Sequence, residues 1–231
     1  MIIAEIGQNH NGSMSLAKEL IHAAKECGAS IAKFQLFDAV RLFPKDNNPW
    51  YGYNLSTELS YDQAEELSNY CKFIGIEFMA SAFDSQRIDW LESLGVRRHK
   101  LASRSIHDTE LAGRMVATNK EVIVSLGFWK SKSLPHFSDN ATIRFLHCVS
   151  QYPAPYNSVN LSQVDFNKIA GLSDHCIGIS ASIAAISRGA TIIEKHFTLD
   201  KSMYGPDHSC SVEPQELASL VKLYSEIRLC L

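Results

Sequence analysis

Short apolar runs alternate with longer amphipathic segments along almost the whole chain, and this constrains the fold more than any other feature. It is the pattern of repeated strand–helix units whose strands pair in parallel. Strand-like runs fall near 2–6, 31–36, 76–81, 98–102, 121–125, 142–147, 169–173 and 191–195. Helical periodicity fits 14–27, 60–73, 84–94, 108–117, 160–168, 179–188 and 213–229. Eight strands in that order predict an α/β fold, a closed (β/α)8 barrel of the TIM type, as one domain over 1–231. The 231 residues suit it, since such barrels need ~200 residues at the smallest and ~250 typically. An open doubly wound sheet is the alternative, weakened because no glycine-rich dinucleotide loop follows a strand. Two stretches break the rhythm. Residues 37–59 read as a long loop with Pro44, Pro49, Trp50, Tyr51 and Tyr53, of the kind that forms lids. Residues 126–141 make a poor helix, so the fifth helix is expected to be abbreviated.

The net charge of −3 is small and the cations are scattered, which argues against a nucleic-acid surface. No apolar stretch approaches the ~20 residues of a membrane helix. The N-terminus enters an apolar run at once, without the basic start of a signal peptide. The six cysteines include no CxxC pair, and a chain of this length needs no disulfide scaffold. Reduced thiols in a cytoplasmic protein are expected.

Barrel strands alternate between interior and helix-facing side chains, and active sites lie at their C-terminal ends. Polar residues recur there with one parity. Glu5 shares a face with Ile3, and Lys33 and Gln35 share one with Ile31. Ser125 goes with Ile123, His147 with Phe145, and Glu194 and His196 with Ile192. Ser81 ends the third strand, Lys100 the fourth, and His175 follows the seventh. Any one of these suits a cap or a structural hydrogen bond. Together they predict a polar pocket at one mouth, because a charge inside a barrel is costly unless paired or solvated.

Lys33 and Lys100 with Ser81 and Ser125 suit a phosphate, which offers dense negative charge and several acceptors. His175 and His196 end adjacent strands ~4.8 Å apart, so two imidazoles there can share a cation. The alternative is that Asp174 and Glu194 satisfy both rings, and the same carboxylates would serve equally to orient metal ligands. His147 is a third candidate ligand, with a structural hydrogen bond equally open to it. Glu5, the most interior carboxylate, suits a general base, a hydroxyl acceptor or a partner of Lys33. Asp207 lies in a turn, Gly205-Pro206-Asp207-His208, where it can stabilise the turn or meet a sugar. Spacing alone thus gives a metal-assisted barrel enzyme acting on a phosphorylated small molecule.

The run Ile3-Ala4-Glu5-Ile6-Gly7-Gln8-Asn9-His10-Asn11-Gly12 resembles the opening of sialic acid synthases. Lys33-Phe34-Gln35, Leu146-His147-Cys148-Val149-Ser150-Gln151-Tyr152-Pro153 and Gly171-Leu172-Ser173-Asp174-His175 follow in collinear order. Glu194-Lys195-His196-Phe197-Thr198 and Gly205-Pro206-Asp207 complete the likeness over nearly the whole chain. The resemblance implies condensation of phosphoenolpyruvate with N-acetylmannosamine or a related 2-acetamido sugar, giving a nonulosonic acid and phosphate. It implies a divalent metal on His175 and His196, usually Mn2+, with Mg2+ or Co2+ as alternatives. Phosphoenolpyruvate would be held by Lys33, Ser81, Lys100, Ser103, Ser125, Ser150 and Tyr152. Asn54, Gln35, Asp207 and Glu5 would serve the sugar or the reacting centre.

Four departures bear on the sugar. Many relatives carry a C-terminal antifreeze-like domain that lends an Arg to the partner subunit's site, whereas this chain ends with the helical segment at 213–229. A Glu that meets the sugar in many relatives is replaced by Arg104-Ser105, and Ser-Thr-Pro-Phe reads Ala80-Ser81-Ala82-Phe83. The fifth helix is curtailed. Altered sugar recognition is expected, with a homodimer or a separately encoded antifreeze-like domain as the protein partners left open. Two rival classes stand beside the synthase: a non-catalytic metabolite- or partner-binding barrel, and an aldolase using Lys33 or Lys100 as a Schiff base.

Overall fold

The computed structural model describes residues 1–139 and 141–231. Eight parallel strands close on themselves in sequence order. They are β1 (Ile2–Gly7), β2 (Ile31–Leu36), β3 (Glu77–Ala82), β4 (Arg98–Leu101), β5 (Glu121–Ser125), β6 (Ile143–Cys148), β7 (Gly171–Asp174) and β8 (Ile192–His196). Outside them lie α1 (Met14–Glu26), α2 (Ala39–Leu42), α3 (Tyr51–Ser56), α4 (Tyr61–Ile74), α5 (Ser85–Ser93), α6 (Thr109–Ala117), α7 (Ser180–Ser187) and α8 (Pro214–Cys230). The expected (β/α)8 barrel is therefore present.

Local chemistry starts the helices where the sequence supplies a cap. Ser13, Asp38, Asp84 and Asp108 accept backbone N–H bonds at the starts of α1, α2, α5 and α6. Ser60 and Gln63 form a reciprocal capping box on α4, satisfying donors that the first turn leaves unpaired. Pro214 opens α8, where its missing N–H costs nothing.

Two connections depart from expectation. The stretch 160–168 is not a helix: only Leu161–Gln163 forms a 3-10 turn, entered through Asn160 at φ 47°. Residues 37–59 are not plain loop, since α2 and α3 lie within them. Both helices are too short for a periodic signal to mark. Between β5 and β6 no helix occurs among the described residues, so the expected loss of the fifth helix is complete there.

The core has two parts. Outward strand residues such as Ala4, Ile6, Ala32, Phe34 and Val124 pack against the helices. Inside the barrel a separate layer of Ile3, Ile31, Met79, Ile123, Leu146 and Ile192 forms an apolar floor. At the opposite end from the strand C-termini, Arg98 joins Glu77 at 2.8 Å and Glu121 at 2.6 Å. The packing between β7 and β8 needs Gly171, where a Cβ would stand 1.8 Å from the Ile192 carbonyl oxygen.

Gly171→Ala is expected to destabilise the barrel by about 3 kcal/mol, because the obstructing atom is backbone and cannot rotate away. A denaturant midpoint equal to wild type would contradict this. His10, in the turn after β1, is 1% exposed, and burial lowers its pKa from 6.5 to about 4. Between those values the unfolded chain binds a proton that the folded ring refuses, so stability falls as pH drops through 6.5 towards 4. The loss approaches about 3 kcal/mol at the acid end. His10→Asn should flatten the pH dependence of the melting temperature over this window, and an unchanged slope would remove His10 as its source.

Candidate active site

The period of two along each strand places a polar side chain directly above each floor residue. Ile3 is followed by Glu5, Ile31 by Lys33, Met79 by Ser81, Ile123 by Ser125, Leu146 by Cys148 and Ile192 by Glu194. These side chains line the bottom of a cavity of about 430 Å³ at the C-terminal mouth. Thirteen of the expected site residues line this one cavity: Glu5, Lys33, Gln35, Asn54, Ser81, Lys100, Ser103, Ser125, Ser150, Tyr152, His175, His196 and Asp207. Asn54 arrives on α3 and is buried.

A continuous charge network crosses the bottom. Lys33 Nζ lies 2.6 Å from Glu5 Oε2 and 3.4 Å from Glu194 Oε2. Lys100 Nζ lies 3.7 Å from Glu194 Oε1. Lys33 donates to Ser81 Oγ at 3.3 Å and Lys100 to Ser125 Oγ at 2.8 Å. Gln35 Nε2 donates to Glu5 Oε1 at 2.9 Å, and Ser173 Oγ donates to Glu194 Oε1 at 2.8 Å. Of the roles open to Glu5, partnership with Lys33 is therefore present.

The two carboxylates are pushed apart. Burial opposes ionisation of Glu194, but Lys100 and Lys33 overcome it and hold its pKa down to about 2. Burial raises Glu5; Lys33 pulls it back, yet repulsion from Glu194 adds to the rise. One carboxylate held down beside another pushed up is an arrangement suited to acid–base work.

On the β7–β8 side, the rings of His175 and His196 stand 5.6 Å apart. Tyr152 covers His175 at 4.0 Å and approaches His196 at 5.7 Å. His175 Nδ1 donates to the Val149 carbonyl at 2.7 Å, which leaves its Nε2 for another partner. The Nδ1 of His196 is buried without a hydrogen-bond partner among the described residues. Burial lowers the pKa of His196 to about 4, so the ring is neutral, as a metal ligand must be. His175 goes the other way: burial disfavours its charge, but Cys148, the Val149 carbonyl and Glu194 together raise its pKa. Among the described residues no group of three or more His, Cys, Asp or Glu side chains forms a ready-made cage. Two imidazoles could hold a divalent cation only with waters or substrate oxygens completing its coordination.

Of the two roles left open for His147, the structural hydrogen bond is the one present: its Nε2 meets the Val159 carbonyl at 2.7 Å outside the barrel. Three expectations fail here. The inward residues of β6 are Leu146 and Cys148, not Phe145 and His147. Asp174 does not orient a histidine: it accepts from Ser182 Oγ at 2.6 Å and pairs with Lys195 at 3.3 Å in the outer layer. Glu194 also belongs to the lysines rather than to a ring. Cys148, Ser173 and Arg104 line the cavity without having been expected there. For Cys148 and Ser173 the missed signal was the period-two partner of Leu146 and the position before Asp174-His175.

The chain matches the NeuB family over residues 20–231. It is 39% identical to an N,N'-diacetyllegionaminic acid synthase of Legionella pneumophila, over 96% of this chain and 70% of that protein. It is 35% identical to the N-acetylneuraminate-9-phosphate synthase of Homo sapiens, over 96% and 68%. The solved N-acetylneuraminic acid synthetase of Leptospira borgpetersenii, in complex with citrate, superposes with a TM-score of 0.93 at 32% identity, covering 99% of this chain and 84% of that one. A chain that matches the family model over residues 20–231 and these synthases over nearly its whole length belongs to the NeuB family.

Proposed function

We propose that this enzyme condenses phosphoenolpyruvate with an open-chain 2-acetamido sugar of the N-acetylmannosamine kind, releasing phosphate and a nonulosonic acid. The observation that carries this reading is the juxtaposition, in one cavity, of two lysine–hydroxyl pairs with two inward histidines. The first set suits a phosphate and the second a cation.

Lys33 with Ser81, and Lys100 with Ser125, bind the phosphate of phosphoenolpyruvate. Ser103, Ser150 and Tyr152 close around the same substrate, and the buried Ser150 Oγ has no protein partner to give up. His175 and His196 hold a divalent cation, Mn2+ in the first instance. When bound, that cation supplies Lewis-acid polarisation of the aldehyde oxygen. Asn54, Gln35 and Asp207 orient the sugar. C3 of phosphoenolpyruvate attacks the aldehyde carbon, forming the new C–C bond as the C=O pi bond breaks and its oxygen takes up a proton from solvent. Positive charge then develops at C2, beside the Glu5 carboxylate. Water adds at C2 and yields one proton to Glu5; the C2–O bond to phosphate then breaks, the C2 hydroxyl proton passing to the departing phosphate to leave the ketone. Most of the acceleration comes from holding the reactants in register over a fixed charge pattern.

His175→Ala and His196→Ala are each expected to abolish metal-dependent phosphate release from phosphoenolpyruvate plus amino sugar, and to lose Mn2+ binding by calorimetry. Full turnover in either variant would remove the metal assignment. Glu5→Gln should keep phosphoenolpyruvate affinity within a fewfold while kcat falls about 10²–10⁴-fold. Wild-type kcat in that variant would strip Glu5 of its proton-handling role.

A further inference from the structure

Lys33, Lys100 and Arg104 are the lysine and arginine side chains lining the cavity. The two lysines are committed to Glu5 and Glu194 at the floor. Arg104 has no carboxylate within 4.0 Å and no side-chain hydrogen bond among the described residues. It sits in the 3-10 turn Ser103–Ser105 that follows β4, on the outer, exposed part of the cavity wall. Its guanidinium carbon lies 5.0 Å over the ring of Phe43, which itself packs edge-on against Phe37 at 5.2 Å. The aromatic face restrains the side chain but takes none of its N–H donors. A restrained guanidinium with its donors unspent is suited to bidentate capture of a phosphate or carboxylate.

β4 lies opposite β8 in the closed strand order, and Arg104 lines the same cavity as His175 and His196. A sugar whose aldehyde end lies at the histidines extends towards Arg104 with its far end. We propose that Arg104 is a specificity-determining residue that binds an anionic group, a phosphate ester or a carboxylate, at the end of the sugar distal to the aldehyde. The inference rests on the synthase reading and names the substrate class within it. The other anion at hand is phosphoenolpyruvate itself. On the synthase reading its phosphate is served deep in the barrel by Lys33, Lys100 and their hydroxyl partners, whereas Arg104 stands at the outer wall.

The test compares wild type, Arg104→Gln and Arg104→Lys with N-acetylmannosamine and its 6-phosphate, with phosphoenolpyruvate titrated against each. Wild type should prefer the phosphorylated sugar in kcat/KM. Arg104→Gln should cut that preference about tenfold or more, as expected for loss of a charged hydrogen-bonded pair, and Arg104→Lys should restore part of it. An unaltered preference would overturn the proposal. So would a rise in KM for phosphoenolpyruvate that is equal with both sugars, because Arg104 would then serve the other substrate. Calorimetric binding of the two sugars needs no turnover. If no sugar yields phosphate, the synthase reading fails, while equal loss or equal retention of both sugars' affinity in Arg104→Gln would still decide against this role for Arg104.

Discussion

Four charged side chains share the inside of the barrel, and the structure depends on how they are paired. Glu5, Lys33, Glu194 and Lys100 are almost fully buried, where an isolated charge would be prohibitively costly. Each survives because the strand register sets its opposite beside it: Glu5 is level with Lys33 across β1 and β2, and Glu194 reaches both lysines from β8. Such a ladder is weak evidence for stability, since a well-packed apolar interior often does as well or better. Its value is a fixed pattern of charge in a place that water cannot easily rearrange. The apolar floor beneath it does the complementary work, closing the barrel so that ligands enter only at the mouth.

How much of this was legible in the sequence depended on whether alternation was clean. In β1, β2, β5 and β8, an apolar residue and then a polar one occupy successive inward positions, so the parity reads directly. In β6 both parities are mixed: Arg144, Leu146 and Cys148 face one way, Phe145 and His147 the other. The imidazole of His147 attracts attention, yet the aliphatic side chain and the thiol are inside. Asp174 misleads similarly. It adjoins His175 in sequence, but a strand turns successive side chains to opposite faces, and its carboxylate finds Lys195 and Ser182 in the outer layer. Helix α3 escaped notice because one and a half turns carry no periodic signal, although it delivers Asn54 to the cavity. The missing helix at 160–168 reflects residues better suited to turns than to a continuous amphipathic face.

The cavity divides by depth. Its floor is net-balanced charge, its β7–β8 rim is a pair of imidazoles of opposite pKa tendency, and its β4 rim carries an uncommitted guanidinium. The floor and histidine rim are built from the residues that the family motifs carry. The β4 rim is where the sequence departs from the family resemblance, with Arg104-Ser105 in the stretch expected to carry a Glu. Ligand chemistry should therefore be shared at depth and individual at the surface, in line with barrels that vary function through the loops at their strand ends.

Crystals grown with Mn2+ and phosphoenolpyruvate would test the central claim most directly, through the anomalous signal of the metal and the density of the phosphate. The account predicts one strong manganese peak within bonding reach of both His175 and His196, with the phosphate against Lys33 and Lys100 in the same cavity. A peak elsewhere on the molecule, or a phosphate bound outside the barrel mouth while the two lysines keep only their carboxylate partners, would contradict it.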